Sequence, residues 1–206
     1  MLEMRLMADG LTLSRGGRLV LADLSFAVAP GQALLLRGPN GVGKSSALMV
    51  LAGLLGPQAG TLTFPGADPE ARPFSHIHYV GHDPAIKTGM SLWENLAFWV
   101  EVLGGSPGEI APALAMAGLG KLDALDAGLL SAGQTRRLAL ARLLAVPRPV
   151  WLLDEPTSAL DSQGSAWVGE IISSHIAKGG LAVIATHLDI PILGDVRVLD
   201  FPGAAP

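Results

Sequence analysis

One stretch constrains this chain more than any other. GPNGVGKS, from Gly38 to Ser45, follows the pattern G-x-x-x-x-G-K-[ST]. It lies between the apolar segment QALLLR and the helix-like run KSSALMVLAGLLG, which is the strand, loop and helix context that the pattern requires. Its glycines allow the backbone to wrap with N–H groups pointing inward, and a helix N-terminus adds the positive end of a dipole. The stretch therefore predicts a loop that cradles nucleotide phosphates.

The residues of this loop have separate predicted tasks. Lys44 brings a positive charge to the β- and γ-phosphates, and Ser45 offers a hydroxyl to Mg²⁺. A chance glycine-rich turn is the alternative, and the complete strand–loop–helix context disfavours it. We expect ATP and Mg²⁺ as ligands. The predicted nucleotide-binding residues of the loop are Gly38, Pro39, Asn40, Gly41, Val42, Gly43, Lys44, Ser45 and Ser46.

A second apolar segment, VWLLDEP at 150–156, ends in two adjacent carboxylates. Asp154, at the carboxyl end of the predicted strand, is expected to hold Mg²⁺. Glu155 points elsewhere and can orient and polarise the water that attacks the γ-phosphate. Alone, the segment would be read as a solvent-facing Asp-Glu pair. Together with the phosphate loop it predicts the second half of a nucleotide site.

Composition excludes several other classes of function. The chain has 206 residues, half of them hydrophobic, so it can form a substantial core. Its net charge of −4, without a Lys/Arg run, argues against a nucleic-acid partner. The absence of cysteine removes disulfides, zinc ribbons, iron–sulfur clusters and thiol nucleophiles. No stretch approaches the ~20 apolar residues of a transmembrane helix, so we expect no direct membrane insertion.

The hydrophobic pattern predicts an α/β fold. Apolar or alternating runs predict strands over 18–28, 32–38, 60–64, 76–81, 149–155, 179–187 and 195–201. Helical spacing predicts helices over 44–56, 91–104, 108–119, 131–146 and 162–180, with Ser91 and Ser131 as caps. We expect a single domain over 1–206: a mostly parallel central sheet, a β-rich N-terminal portion, and a helical lobe at about 90–140 inserted in the α/β core.

The segment LLSAGQTRRLALARLL upstream of the carboxylates indicates the class of enzyme. No Arg-rich lid or acceptor pocket of a nucleotide kinase is present. Instead, Ser131, Ala132, Gly133 and Gln134 begin a helix whose small residues allow close approach of an anionic oxygen. The chain already has one helix end for its phosphates. A second one makes most sense if it serves ATP held by another subunit.

At this point the sequence resembles the ATP-binding cassette (ABC) ATPases over nearly its whole length. GPNGVGKSS resembles their Walker A motif, LSAGQ their LSGGQ signature, and LLDEPTSALD their Walker B motif followed by a D-loop at 158–161. The resemblance implies the ABC-cassette fold and a head-to-tail dimer, with ATP between Walker A of one copy and the signature of the other. It further implies that Asp161 contributes to nucleotide binding and that His187 contacts the γ-phosphate and positions the water polarised by Glu155.

Two positions depart from the family pattern. Ala132 replaces a signature glycine and keeps the small-residue character. Arg15 occupies the place where an aromatic usually stacks on adenine. A guanidinium can also stack on a flat ring, so Arg15 is a candidate adenine contact. A solvated turn residue is the equally weighted alternative.

The segment GHDPAIKTGMSLWENLAF narrows the resemblance. His82 stands where the Q-loop glutamine of the family falls, and the segment is similar to the ATP-binding subunit of haem exporters in cytochrome c maturation (Ccm) systems. This implies a peripheral subunit at the cytoplasmic face of the bacterial inner membrane, partnered by an integral-membrane subunit of that system, as an ATP-dependent homodimer or two copies per complex. ATP hydrolysis would drive haem export or release of a haem-loaded chaperone. A drug or lipid exporter ATPase and a soluble non-transport cassette remain alternatives.

Two further side-chain groups have open interpretations. His76 and His78 are spaced to share a strand face, but a metal site needs a third ligand, and strand residues without chemistry are favoured. Trp93, Phe98 and Trp99 have helical spacing. Packing in the core of the lobe is the ordinary explanation, and a groove for a helix of a membrane partner is the sharper one.

Overall fold

The computed structural model describes residues 4–71 and 74–201. Its strands are β1 (Leu6–Arg15), β2 (Arg18–Val28), β3 (Gln32–Arg37), β4 (Ala59–Thr63), β5 (Ile77–Val80), β6 (Val150–Asp154), β7 (Leu181–Ala185) and β8 (Asp195–Asp200). Its α-helices are α1 (Lys44–Leu51), α2 (Leu92–Leu103), α3 (Ile110–Met116), α4 (Ala132–Ala145) and α5 (Ser162–Ala177). Short 3₁₀ turns cover Pro107–Glu109 and Ala127–Leu129.

The central sheet is parallel and has the strand order β5-β6-β7-β3-β8. Its inner strands are apolar except at their ends, where Gln32, Arg37 and Asp154 lie, because both faces of the sheet are covered. Leu34 and Leu36 pack with α1 and the N-terminal strands, whereas Leu35 packs on the opposite face with α5. The α/β class with a parallel central sheet is thus confirmed.

A second sheet, antiparallel with the order β2-β1-β4, forms the β-rich N-terminal portion. The sequence did not predict its middle strand, β1, although Leu6, Ala8, Leu11 and Leu13 are buried. The alternation of buried and exposed residues breaks near Gly10, where the backbone has φ 62° and the pairing with β2 shifts register. A bulge of this kind interrupts the period of two on which strand prediction depends.

Helix α1 is shorter than predicted. The apolar run continues to Gly56, but the helix ends at Leu51. Gly53 has φ 71°, and the N–H of Leu54 donates to the carbonyl of Met49 at 2.9 Å, closing the helix with a left-handed residue. The apolar residues that follow therefore lie outside the helix, and Leu54 is 61% exposed.

Helices α2, α3 and α4 pack around a hydrophobic cluster of their own, contributed for example by Leu96, Leu114 and Leu138. Helix α4 also packs Leu140 and Leu143 against the parallel sheet, so it belongs to both cores. The core explanation was wrong for Trp93 and Phe98, which are 39% and 50% exposed. The inward stripe of α2 is Leu92, Leu96 and Val100, and the two aromatic residues lie outside it.

Candidate nucleotide-binding site

The strand order explains how distant parts of the sequence meet. Strands β5, β6, β7 and β3 are neighbours and run parallel, so their carboxyl ends lie at one edge of the sheet. The phosphate loop follows β3, Asp154 and Glu155 end β6, His187 follows β7, and His82 follows β5. A cavity of about 520 Å³ opens there, lined by Arg15, Val20, Asn40, Gly41, Gly43, Lys44, Ser45, Ser46, His82, Asp154, Glu155, Ser158 and His187.

The phosphate loop depends on backbone that only glycine adopts freely. Gly38 and Gly43 have φ 141° and 117°, and a Cβ on either would lie within 3 Å of a carbonyl oxygen, that of Phe201 or Val20. Gly43 is also the N-cap of α1, and no side chain caps this helix. Its first N–H groups therefore point into the loop without a side-chain partner, as a phosphate site requires.

Lys44 is buried, with 6% of its surface exposed. Its ammonium donates to the carbonyls of Gly38 and Pro39 at 2.7 and 3.0 Å, so the charge is held over the loop. Gly38 and Pro39 thus hold the ammonium of Lys44 with their carbonyl oxygens. Val42 packs its side chain against the core beneath the loop and does not line the cavity. The remaining predicted loop residues lie at the cavity wall.

Asp154 is the last residue of β6 and is 3% exposed. Burial raises the pKa of its carboxyl group, and the neighbouring Glu155 raises it further. A hydrogen bond from Ser45 and the charges of His82 and Arg136 oppose this shift. The hydroxyl of Ser45 and the carboxylate of Asp154 therefore lie side by side, as hard oxygen ligands for a divalent cation would.

Glu155 and His187 form a pair across the cavity. Nδ1 of His187 lies 2.9 Å from Oε1 of Glu155, whose side chain is 13% exposed. Oε2 of Glu155 is buried and has no hydrogen-bond partner among the described residues. Glu155 also has φ 47°, a left-handed conformation that costs a non-glycine residue about 1–3 kcal/mol. One carboxylate oxygen is thus oriented while the other is left to accept from a further donor.

Two further predicted contacts, Arg15 and His82, line the cavity from β1 and from the loop after β5. Arg15 is the last residue of β1 and lines the cavity beside the phosphate loop. His82 lines it from the β5 side, and the backbone carbonyl of His82 accepts a hydrogen bond from Arg136 of α4 at 2.9 Å. Both positions are compatible with nucleotide contact. The stacking of Arg15 on adenine stays a prediction.

The signature residues do not reach this cavity. Ser131 caps α4: its Oγ accepts from the N–H of Gln134 at 3.2 Å, and Oε1 of Gln134 accepts from the N–H of Ser131 at 2.9 Å. A Cβ on Gly133 would lie 3.0 Å from the carbonyl oxygen of Ala159, so the signature lies beside the D-loop of its own chain. Asp161 caps α5 by accepting from the N–H of Gly164 at 2.7 Å and is also outside the cavity.

The sequence missed two lining residues and one neighbour of the site. Val20 belongs to β2 and reaches the cavity only because the two sheets pack together, for which no local motif exists. Ser158 lies in the D-loop, where the Walker B context was a usable signal. Arg136 follows the signature by two residues, and its approach to the His82 loop depends on how α4 packs.

The histidines before the loop have structural contacts. His78 is 2% exposed, and its Nε2–H donates to the carbonyl of Val146 at 2.6 Å. The ring of His76 meets the ring of Phe64 edge-on, with 4.5 Å between centroids. No cluster of three or more metal-ligating His, Cys, Asp or Glu side chains occurs within 4–71 and 74–201. His78 is thus accounted for by its carbonyl contact.

The fold and the site define a P-loop nucleoside triphosphatase. Comparison with known proteins shows to which family of these enzymes the chain belongs. The family model described as ABC transporter matches residues 21–158. A "Cytochrome c biogenesis ATP-binding export protein CcmA" from Rhodopseudomonas palustris (strain BisB5) is 51% identical over 92% of this chain and 94% of its own length. A protein of the same description from Nitrobacter winogradskyi is 48% identical over 98% of this chain and 100% of its own length.

Among solved structures, an ABC transporter ATP-binding protein from Pyrococcus furiosus superposes with a TM-score of 0.82 at 24% identity, covering 96% of this chain and 97% of its own. This likeness supports the fold alone. The chain belongs to the ABC transporter family and, within it, to the group of cytochrome c biogenesis ATP-binding export proteins. It is an ATP-binding, ATP-hydrolysing subunit of the kind that works with membrane components.

Proposed function

We propose that this chain hydrolyses ATP with Mg²⁺ at the carboxyl edge of its parallel sheet, and that it does so as a peripheral subunit on the cytoplasmic face of a bacterial inner membrane. There it would power haem export, or release of a haem-loaded chaperone, for cytochrome c biogenesis. The observation that carries the catalytic part is the meeting of Lys44, Asp154, Glu155 and His187 in one cavity. The group of relatives supports the biological role.

The arrangement of side chains supports a division of labour. The loop N–H groups and Lys44 would bind the phosphates. Ser45 and Asp154 would hold Mg²⁺, which when bound neutralises charge on the β- and γ-phosphate oxygens. Because His187 holds Oε1 of Glu155, Oε2 would accept a hydrogen bond from the attacking water and orient it toward the γ-phosphorus. The P–O bond to ADP breaks as the P–O bond to water forms.

Glu155→Gln tests this assignment. The amide keeps the shape of the side chain but cannot take up negative charge or a proton, so turnover should fall by about 100-fold or more while ATP binding is retained. Glu170, exposed on α5, provides a matched control as Glu170→Gln. In cells lacking their own copy, only the control should restore cytochrome c. Full turnover by Glu155→Gln would overturn the assignment, and loss of turnover with normal cytochrome c would overturn the biological role.

The position of the signature supports a second copy of the chain. Ser131 to Gln134 lie outside the cavity of their own chain, at an exposed helix start. Two copies packed head to tail would place each signature against the phosphate loop of the other, so that both ends of the nucleotide are enclosed. We therefore propose an ATP-dependent homodimer, or two copies within one complex.

A groove between the sheet and the helical lobe supports a membrane partner. It measures about 300 Å³ and is lined by Ala52, Leu54, Phe74, Ile77, His78, Tyr79, Trp99, Leu103 and Arg142. Leu54 and Phe74 leave it with exposed apolar surface, of the kind that receives an amphipathic helix. No helix of the described ranges is both long and apolar enough to cross a membrane. We propose that an integral-membrane subunit of the same Ccm system inserts a helix here.

Leu54→Glu tests the groove. A carboxylate at this rim should abolish co-purification with the integral-membrane subunit, because an apolar contact would have to bury a charge. ATP binding by the isolated chain should be unchanged. Val198, 56% exposed on β8 at the far edge of the sheet from β5, provides the control Val198→Glu. Equal recovery of the membrane subunit with both variants would contradict the proposed docking site.

A further inference from the structure

Arg136 connects the signature helix to the loop that carries His82. It lies in α4, two residues after Gln134, and is 5% exposed. Its Nη1 donates to the carbonyl of Gly81 at 3.0 Å, and its Nη2 donates to the carbonyl of His82 at 2.9 Å. One planar guanidinium thus holds two consecutive peptide carbonyls through two separate nitrogens that are fixed in one plane.

The charge of Arg136 interacts electrostatically with three carboxylates, those of Asp154, Glu155 and Asp83. Burial lowers the pKa of its guanidinium, while the charges of Asp154, Glu155 and Asp83 raise it. Within the described ranges Arg136 forms no ion pair at 4 Å or less. The hydrogen bonds of Arg136 go to the carbonyls of the His82 loop and hold that loop in place. Its positive charge is not neutralised by a direct ion pair and so still acts on Asp154 and Glu155.

The helix that carries Arg136 is shared by two parts of the molecule. Leu138 of α4 packs in the helical lobe and Leu140 packs on the parallel sheet. Further along α4, Nη2 of Arg142 donates to the carbonyl of Tyr79 at 2.7 Å, so the segment from β5 to His82 is tied to α4 at two levels. The N-terminal tie, by Arg136, is the one that lies between the signature and the nucleotide cavity.

We propose that Arg136 is a positioning residue for ATP hydrolysis: its fork fixes the His82 loop to the signature end of α4, so that the nucleotide cavity and the signature change position together. This inference rests on the proposed ATP hydrolysis at the cavity whose wall His82 lines. It adds that His82 is placed by a residue of the signature helix and that the two motifs of one chain are mechanically joined.

Arg136→Lys in the full chain tests the fork, since lysine keeps the charge but presents all its N–H donors from one nitrogen and cannot keep the positions of both Nη1 and Nη2. We expect kcat for ATP hydrolysis to fall by about 10-fold, the effect of losing one charge-assisted hydrogen bond, with KM for ATP changed by less than about 3-fold. Arg137 is the matched control: it is the next residue of the same helix, donates to the carbonyl of Ala117 at 3.4 Å and lies over the Trp167 ring. Arg137→Lys should keep the wild-type kcat.

A double-mutant cycle with His82→Ala separates positioning from general stability. If the fork acts by placing the His82 imidazole, Arg136→Lys should cost little further kcat once that imidazole is removed. Additive losses would overturn the proposal, as would wild-type kcat in Arg136→Lys or equal losses in Arg136→Lys and Arg137→Lys. Glu155→Gln run alongside reports on the proposed catalytic site by itself, so failure of that site and failure of the fork give different patterns.

Discussion

The phosphate-loop end and the signature end of this chain are built in different ways. At the phosphate loop, three neighbouring strands deliver Lys44, Asp154, Glu155 and His187 to one cavity, and each side chain has a partner or a defined orientation. At the signature, the side chains of Ser131 and Gln134 bond only each other's backbone N–H groups, and Ser131 is exposed. The first end is complete as a binding surface. The second is an exposed helix start outside the nucleotide cavity of its own chain.

This difference indicates that the two ends meet different structural requirements. The phosphate loop combines glycine backbone at positive φ with the buried charge of Lys44 at the edge of the parallel sheet. The signature needs a capped, exposed helix start that can approach another chain without losing its own structure. The guanidinium of Arg136 lies between the two ends. In the proposed dimer, the signature end of one copy would meet the phosphate-loop end of the other copy.

Mixing two inactive variants gives the largest expected effect. Lys44→Ala removes the phosphate-binding charge, and Ser131→Arg places a bulky cation at the exposed signature. Each variant alone should lose on the order of 100-fold in turnover, as when a transition-state donor is removed. Mixed, they should regain activity, because a mixed dimer has one site with an intact phosphate loop and an intact signature. ATP turnover of the mixture against each variant measures this.

The control mixture combines Lys44→Ala with Glu155→Gln. Both changes lie on the phosphate-loop side, so every site of a mixed dimer lacks one of the two and no activity should return. Recovery of ATP turnover in the control mixture would contradict the division between the two ends of the chain. So would a lack of recovery in the first mixture, provided that differently tagged copies co-purify and a mixed dimer is therefore present.

That Lys44, Asp154, Glu155 and His187 lie at one cavity follows from sequence features that are local. Glycines at fixed spacing, a strand that ends in carboxylates and a helix after the loop are each visible in a short window, and parallel strands then meet at one edge. Val20 and Arg136 were missed because their contacts depend on how β2 and α4 pack against the sheet. Strand β1 was missed because the bulge near Gly10 breaks its alternation.

The aromatic residues of α2 show the same limit. Helical spacing predicted a buried stripe and placed Trp93 and Phe98 in it, but spacing does not say which stripe faces inward. The neighbouring aliphatic stripe is the buried one, and Trp99 instead covers Arg142, whose Cζ lies 4.3 Å from the ring centroid. Orientation about the helix axis is decided by tertiary packing, which the sequence pattern alone does not contain.

The contact that holds the C-terminal end of the signature helix α4 should weaken in acid. Burial lowers the pKa of His78 to about 3; its hydrogen bond to Val146 opposes this, and Arg148, Arg142 and His175 assist it. Burial likewise lowers the pKa of His175 to about 4. An unfolded histidine takes up its proton near pH 6.5, so below that pH the unfolded chain binds more protons and stability falls.

His78→Gln isolates this contribution, since the amide can still donate to the carbonyl of Val146 and does not titrate. Below about pH 6 the wild type should lose up to about 1.4 kcal/mol of unfolding free energy per pH unit more than the variant. Denaturant unfolding between pH 7.5 and pH 5 measures the two slopes. Parallel slopes would show that His78 does not hold this end of α4 through its neutral form.

The smallest expected effect concerns two equivalent caps. Ser131 caps α4 and Ser91 caps α2, each in a reciprocal capping box with the residue three positions on. Replacing either serine by alanine should cost about 1 kcal/mol of unfolding free energy, because one N–H at the helix start loses its acceptor. The two variants should therefore melt alike. Only Ser131→Ala should also lower ATP turnover, since only that hydroxyl belongs to the signature that meets the second copy's nucleotide. Equal turnover in both variants would reduce the signature serine to a helix cap and remove the functional distinction between α4 and α2.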